Sequence, residues 1–335
     1  MIRRYVIVGA AATAAVLSSC SGGGDSSATP TPTPTSTATP TPTPTPTYTA
    51  FPLAGATEFN TLNATTNYTG DPATGAVTLG VTSTETLTNR VKLATAPDVA
   101  TGTFVINEAA EESRFTTTNV LTAPATTVAE AVFRSTSTAT GALAGNFTQL
   151  EFLNNTFKAD VQSSDSFIKS LATVSYANWW RGDSTTGQKR LTYSIWGYST
   201  LGYDMPTTGS ASYTTRIVGR AVSVANNATT LNRLGGTATV TVNFATGLVT
   251  TTLSLTTVPT TGAETAYLTL SAQGAIPIGQ NQFSGSFSSG SPVTGTIAGA
   301  FYGAKGVNMG IVFGAAGTVN GADTRIVGEV VGVKQ

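Results

Sequence analysis

Residues 293–317, VTGTIAGAFYGAKGVNMGIVFGAAG, constrain the fold more than any other stretch of the chain. Side chains alternate along a strand with a period of two. In the first arm Gly295, Ile297, Gly299 and Phe301 therefore share one face. Thr294, Thr296, Ala298, Ala300 and Tyr302 share the other. The returning arm sets Met309, Ile311 and Phe313 on one face. Between them lies Gly303-Ala304-Lys305-Gly306, a short turn with glycine at both ends, where positive φ is commonly needed. The stretch is predicted to be an antiparallel hairpin. Glycines alternating with Ile and Phe suit a small closed barrel, whose taper sets large residues beside small ones. An ordinary antiparallel hairpin would accept the same pattern.

Strand-like runs recur through the C-terminal half, at residues 191–198, 211–224, 237–244, 248–256, 266–272, 282–288 and 324–333. Turn signals separate them at Asn226-Asn227, at residues 245–247 and at Thr261-Gly262. With the two hairpin arms these are about nine candidates, and eight strands would close a barrel filled by its own side chains. In the last run Ile326, Gly328, Val330 and Gly332 share one face, and Arg325 and Glu329 the other.

GTIAGAFYG at residues 295–303, followed by GIVFG at 310–314, resembles the barrel signature of the transferrin-binding protein B-like lipoproteins. In that family a glycine-rich strand ends in Phe-Tyr-Gly, and a short turn leads to a Gly-Gly-x-Phe strand. Here Met309 replaces the first of the paired glycines, and Ala304-Lys305 replaces a Pro-Asn-like turn. The resemblance covers the C-terminal part of the chain well and the earlier part loosely. It implies an all-β protein: a C-terminal eight-stranded antiparallel barrel over residues 185–335, preceded by a smaller β-rich handle over 51–184. It also implies a surface or solute-binding lipoprotein, of a family whose members capture host iron proteins, haem proteins or complement factors. A capture role would be consistent with a TonB-dependent receptor or a surface-export translocon as an accessory partner.

The N-terminus gives that implication its own support. Arg3 and Arg4 precede an apolar run over residues 5–17, too short for a comfortable membrane span. The run ends Leu17-Ser18-Ser19-Cys20, which resembles a bacterial lipobox. Residues 1–19 are thus read as a leader, and Cys20 as the lipidated N-terminus of the mature chain. Ser21 after it favours the outer membrane under the usual sorting rule. Residues 20–50 read as a disordered linker with Thr-Pro repeats. Proline fixes φ and removes N–H donors, so the repeat stays extended and cannot pair into a sheet. Twenty such residues reach about 60 Å.

Residues 51–178 carry weaker strand signals, at 75–80, 102–106, 129–134 and 148–161, the last read as a strand pair turning at Asn154-Asn155. The acidic cluster at 108–112 reads as a solvated loop rather than a metal site. Trp179, Trp180, Tyr198 and Tyr203 concentrate aromatic surface where handle would meet barrel. Trp and Tyr give large contact area at low entropy cost, which suits binding; plugging the seam between the domains is the competing use. Arg181-Gly182-Asp183 matches the integrin tripeptide, a match too short to carry weight.

Composition removes whole classes of chemistry. The chain has no histidine and one cysteine. Ser-His-Asp and Cys-His catalysis, His metal ligation and an internal disulfide are therefore excluded. No cofactor and no metal are expected. Removing the leader leaves 15 basic residues (17 less Arg3 and Arg4) against 17 acidic ones, so no basic field attracts nucleic acid. The expected function is a lipid-anchored outer-membrane protein that binds a protein or small-molecule partner and is not an enzyme. A structural or adhesive surface lipoprotein is the alternative. A carboxylate-dependent hydrolase is a remote one, since two acids suffice for glycoside cleavage but no pair stands out by spacing.

Mass spectrometry of the N-terminal peptide should find the mature chain starting at Cys20 with lipid attached. Cys20→Ala should release the protein from membranes without changing its melting temperature. An unmodified peptide starting elsewhere would remove the anchor.

Overall fold

The computed structural model describes Thr45–Gln335, apart from residues 109–110, 137–146 and 183–186 and the side chains of 88–90. The predicted leader, Cys20, nearly all of the Thr-Pro linker and Asp183 lie outside the described residues. Nine strands precede the barrel: β1 (Thr57–Thr69), β2 (Thr78–Thr95), β3 (Phe104–Glu108), β4 (Glu111–Phe115), β5 (Val120–Thr122), β6 (Glu130–Thr136), β7 (Phe147–Leu153), β8 (Val174–Gly182) and β9 (Gln188–Gly197). They form one antiparallel sheet in the order β4-β3-β2-β1-β9-β8-β7-β6-β5.

The sheet curls almost shut. β3 and β6 stand six places apart in it, which in a flat sheet means about 29 Å at 4.8 Å per strand. Yet the rings of Phe104 on β3 and Phe133 on β6 are 4.7 Å apart between centroids. Phe59, Phe115, Phe152, Trp179 and Trp196 fill the same concave face. One mouth of the curl is tied by charge. Glu108 and Glu111, flanking the β3–β4 turn, meet Arg181 and Arg190 from β8 and β9. The Arg181 guanidinium, with Arg190 beside it, holds the Glu111 carboxyl below its ordinary range. The predicted acidic loop is thus an ion-paired hairpin, and Arg181 is engaged inside the fold.

Two sequence expectations fail in this half. Residues 191–198 fall largely in β9, which pairs with β1 and β8 at the centre of the sheet and takes no part in the barrel. The segment is buried on both faces, so its apolar residues carry no sign of which domain claims it. Residues 148–161 hold one strand, not two. Asn154 and Asn155 are buried brackets: Asn154 Nδ2 donates to the carbonyls of Ala125, Val128 and Val161, and Asn155 Nδ2 to those of Leu171 and Val174. A short helix, Ser166–Ser170, follows, capped by the Asp165 carboxylate.

The barrel is closed by eight strands: β10 (Ser210–Ala225), β11 (Ala228–Asn243), β12 (Leu248–Thr257), β13 (Thr265–Ala275), β14 (Gln282–Phe287), β15 (Val293–Tyr302), β16 (Asn308–Val319) and β17 (Ala322–Lys334). The β10–β17 ladder, from Tyr213↔Lys334 to Val224↔Asp323, closes it. The β15–β16 hairpin is the predicted one. Ile297, Phe301, Met309, Ile311 and Phe313 all point into the core. Gly303 and Gly306 bracket its turn at φ of 71° and 66°. Large residues do sit beside small ones. A Cβ on Gly299 would lie 2.1 Å from the Phe283 ring, and one on Gly328 would lie 2.6 Å from the Phe313 ring.

The outer wall of β10, β15, β16 and β17 is covered by the convex face of the sheet. Val218, Ala298, Ala300, Tyr302, Val312, Val327 and Val331 pack there against Leu62, Ala64, Tyr68, Tyr176, Leu191, Tyr193 and Ile195. Gly310 is needed at this seam, because a Cβ would meet Ile195 at 2.4 Å. Trp179 and Trp180 point to opposite faces of β8. Trp179 is 1% exposed in the sheet's interior. Trp180 packs at the seam beside Tyr68, with the Arg220 guanidinium of β10 5.6 Å from its ring.

Phe301→Ala should cost about 3–5 kcal/mol in denaturant unfolding, the usual range for emptying a core aromatic. Trp180→Ala should cost less, about 2–3 kcal/mol, because Trp180 is only half buried. An unchanged midpoint for Phe301→Ala would place that ring outside the core.

Candidate binding surface

All the barrel loops at one end converge on the connector between the two domains. These are the β11–β12 turn (residues 244–247), the β13–β14 loop (276–281), the β15–β16 turn (303–307) and the β9–β10 connector (198–209). The connector is stitched down by backbone bonds. The Thr200 amide donates to the Phe301 carbonyl at 2.8 Å, and the Gly303 amide donates to the Tyr198 carbonyl at 2.8 Å. The Asn281 side chain donates to the Thr200 carbonyl. Gly202 lies so close to the β13–β14 loop that a Cβ would fall 2.5 Å from the Gly279 carbonyl oxygen. Asp204 gathers the remaining strands of the knot. Its Oδ2 accepts from the Lys305 amide and from the Tyr48 hydroxyl, both at 2.9 Å. Burial and the neighbouring Asp204 push the Tyr48 hydroxyl above its ordinary pKa, so it remains a donor.

Between the connector, the β11–β12 turn and the β13–β14 loop opens a groove of about 340 Å³, lined by Met205, Pro206, Phe244, Ile276 and Ile278 among others, and by no charged residue. Ile278 is fully exposed and Tyr203 is 69% exposed; Leu201, Leu248 and Val307 are exposed as well. The loops are rigidly held yet present apolar side chains to solvent. Folding gains nothing from an isoleucine fully in water. Such a groove can seat one or two side chains of a partner, and it holds no nucleophile, acid or base. Among the described residues, no group of three or more His, Cys, Asp or Glu is placed to hold a metal.

Of the four aromatics singled out in the sequence, only Tyr203 lies on this surface. Tyr198 is partly buried against Phe51 and Phe59 in the sheet's core. Trp179 is interior and Trp180 is in the seam, so the four do not form one patch. The groove itself went unread. Its signal is Ile276-Pro277-Ile278, two isoleucines around a proline between strands, where a turn normally carries polar residues.

Residues 205–334 match the profile of the C-lobe and N-lobe beta barrels of Tf-binding protein B. No curated protein matches the chain by sequence. Among solved structures, the haemoglobin receptor HpuA from Kingella denitrificans is similar at 14% identity and a TM-score of 0.39, over 87% of this chain and 90% of that one. A double mutant of the vaccine antigen Transferrin Binding Protein B from Haemophilus parasuis Hp5 is similar at 11% identity and a TM-score of 0.40, over 86% and 78%. The matched residues, 205–334, coincide with the closed eight-strand barrel, so this segment is similar in sequence and in topology to the β-barrels of Tf-binding protein B.

Proposed function

We propose that this is a lipid-anchored protein of a bacterial outer surface that captures a host protein at the loop end of its barrel and catalyses nothing. The observation that carries the reading is the pairing of fully exposed Ile278 with exposed Tyr203 beside an uncharged groove, on loops fixed by backbone hydrogen bonds. Aromatic and apolar anchors on a rigid rim are how hot spots are built. The barrel type, named for a protein that binds transferrin, supports a protein as the partner. The lipobox at Cys20 supports the anchor, and the Thr-Pro linker supports a head held away from the lipid.

Capture is testable with the lipid-free protein against transferrin and haemoglobin first, then whole host plasma. Tyr203→Ala combined with Ile278→Ser should weaken capture at least tenfold, as loss of hot-spot residues does. The melting temperature should stay within the small range usual for surface changes. Capture equal to wild type would move the binding surface elsewhere. Failure to retain any protein would favour a structural role.

A further inference from the structure

The seam between sheet and barrel contains a carboxyl group with no cation. Glu329 of β17 is 1% exposed, and neither of its oxygens has a hydrogen-bond partner. Across the seam the Asn178 side chain of β8 faces it. Asn178 is also buried, and both its amide nitrogen and its amide oxygen lack partners. Four buried polar atoms of two residues are thus left over together, at a cost native structures seldom accept.

The charges around them are already spoken for. Arg220 of β10 pairs with Glu151 of β7 at 2.6 Å, and Arg233 of β11 pairs with Glu130 of β6 at 2.5 Å. The Tyr176 hydroxyl of β8 also donates to Glu130, at 2.6 Å, and Gln149 Nε2 of β7 donates to Glu151 at 2.7 Å. Arg134 of β6 is taken by Gln149. On the remaining elements packed against β17, Arg216 pairs with Asp165, and Arg325 with Asp323 and the Gly80 carbonyl. β16 carries no charged residue. Lys189 lies four residues along β9 from Tyr193, the residue opposite Asn178. Tyr68 of β1 and Tyr193 of β9 are buried phenols, which burial keeps neutral. Two guanidiniums therefore balance two carboxylates, and Glu329 is the third.

A carboxylic acid and a primary amide complement each other in a way a carboxylate and an amide do not. The acid O–H donates to the amide oxygen while the amide N–H donates to the acid carbonyl, so every leftover atom finds a partner. A carboxylate would face the amide oxygen with charge and no donor. We propose that Glu329 is a proton-carrying latch between the two domains, closed on Asn178 when protonated and released when the proton leaves to solvent. Burial is the largest influence and favours the protonated form, and the Glu130 and Glu151 carboxylates add to it. Only the Asn178 amide, whose N–H can donate to a carboxylate as well as to an acid carbonyl, works the other way; the balance lies well on the protonated side.

The sign of the pH dependence follows. The folded chain holds a proton that the unfolded chain releases near the ordinary glutamate value of about 4.3. The latch's stabilisation is complete below that value and is lost as pH rises toward the raised folded value. In the full chain, wild-type melting temperature should fall relative to Glu329→Gln as pH increases from 5 to 9, with the gap widening by several degrees. Gln cannot ionise, so the difference cancels every other titrating group. Infrared spectra at neutral pH should show a protonated-carboxyl C=O stretch in the wild type that Glu329→Gln lacks. Glu329→Leu, which also cannot ionise, should show the same loss of slope and band. A gap that stays constant with pH, or a wild type without that band, would overturn the latch.

Discussion

The bore of an eight-stranded barrel is too narrow for a large side chain from every strand. That limit organises this molecule. Phe283 occupies the space that a side chain at position 299 would need, and Phe313 the space at 328. Each bulky ring is matched to a glycine on the neighbouring strand, so core volume and register are set together. Sliding one strand by two residues would put ring on ring. The same economy reaches the outer wall, where Gly310 lets the sheet's Ile195 approach the barrel backbone. Glycines of one hairpin thus serve two interfaces, inside and outside.

Much of the barrel was legible for that reason. Alternation of Ile and Phe with Gly on β15 to β17 leaves few other structures, and the turns at Asn226-Asn227 and Gly303–Gly306 declare their positive φ in their residues. The curled sheet was far less legible. Its central strands are buried on both faces, so the burial of β9 gives no outward side by which to assign it, and Thr192 and Ser194 are as buried as Tyr193 and Ile195. Asn154 and Asn155 look like turn formers and instead hold loops from inside through their amides, a use that only tertiary placement reveals. Of the proposed binding surface the sequence marked Tyr203 alone. A groove made by three separate loops has no contiguous signature, and the loop isoleucines are few enough to pass as ordinary surface.

Charge is sparse here, at 10% of the chain, and it is spent on joints. Ion pairs of Arg220 with Glu151 and Arg233 with Glu130 cross the seam; Arg181 and Arg190 tie the curl of the sheet. The exposed barrel wall of β11 to β13 carries Thr239, Thr241, Thr250, Thr252 and Ser271 in place of charge. Half-buried pairs of this kind fix orientation more than they add stability, which suits two domains that must meet in one register.

The Tyr48 contact with Asp204 has a mechanical consequence. The chain enters the fold there, at the loop end of the barrel, and Asp204 in turn receives the Lys305 amide. For a head pulled by its N-terminus, tension reaches these loops without first passing along any strand of the sheet or barrel. Three residues on, Phe51 and Leu53 enter the sheet's core, so the same pull would divide between these loops and the sheet. The side-chain contact of Tyr48 with Asp204 would be the first to feel such a pull, and the barrel's own ladders the last.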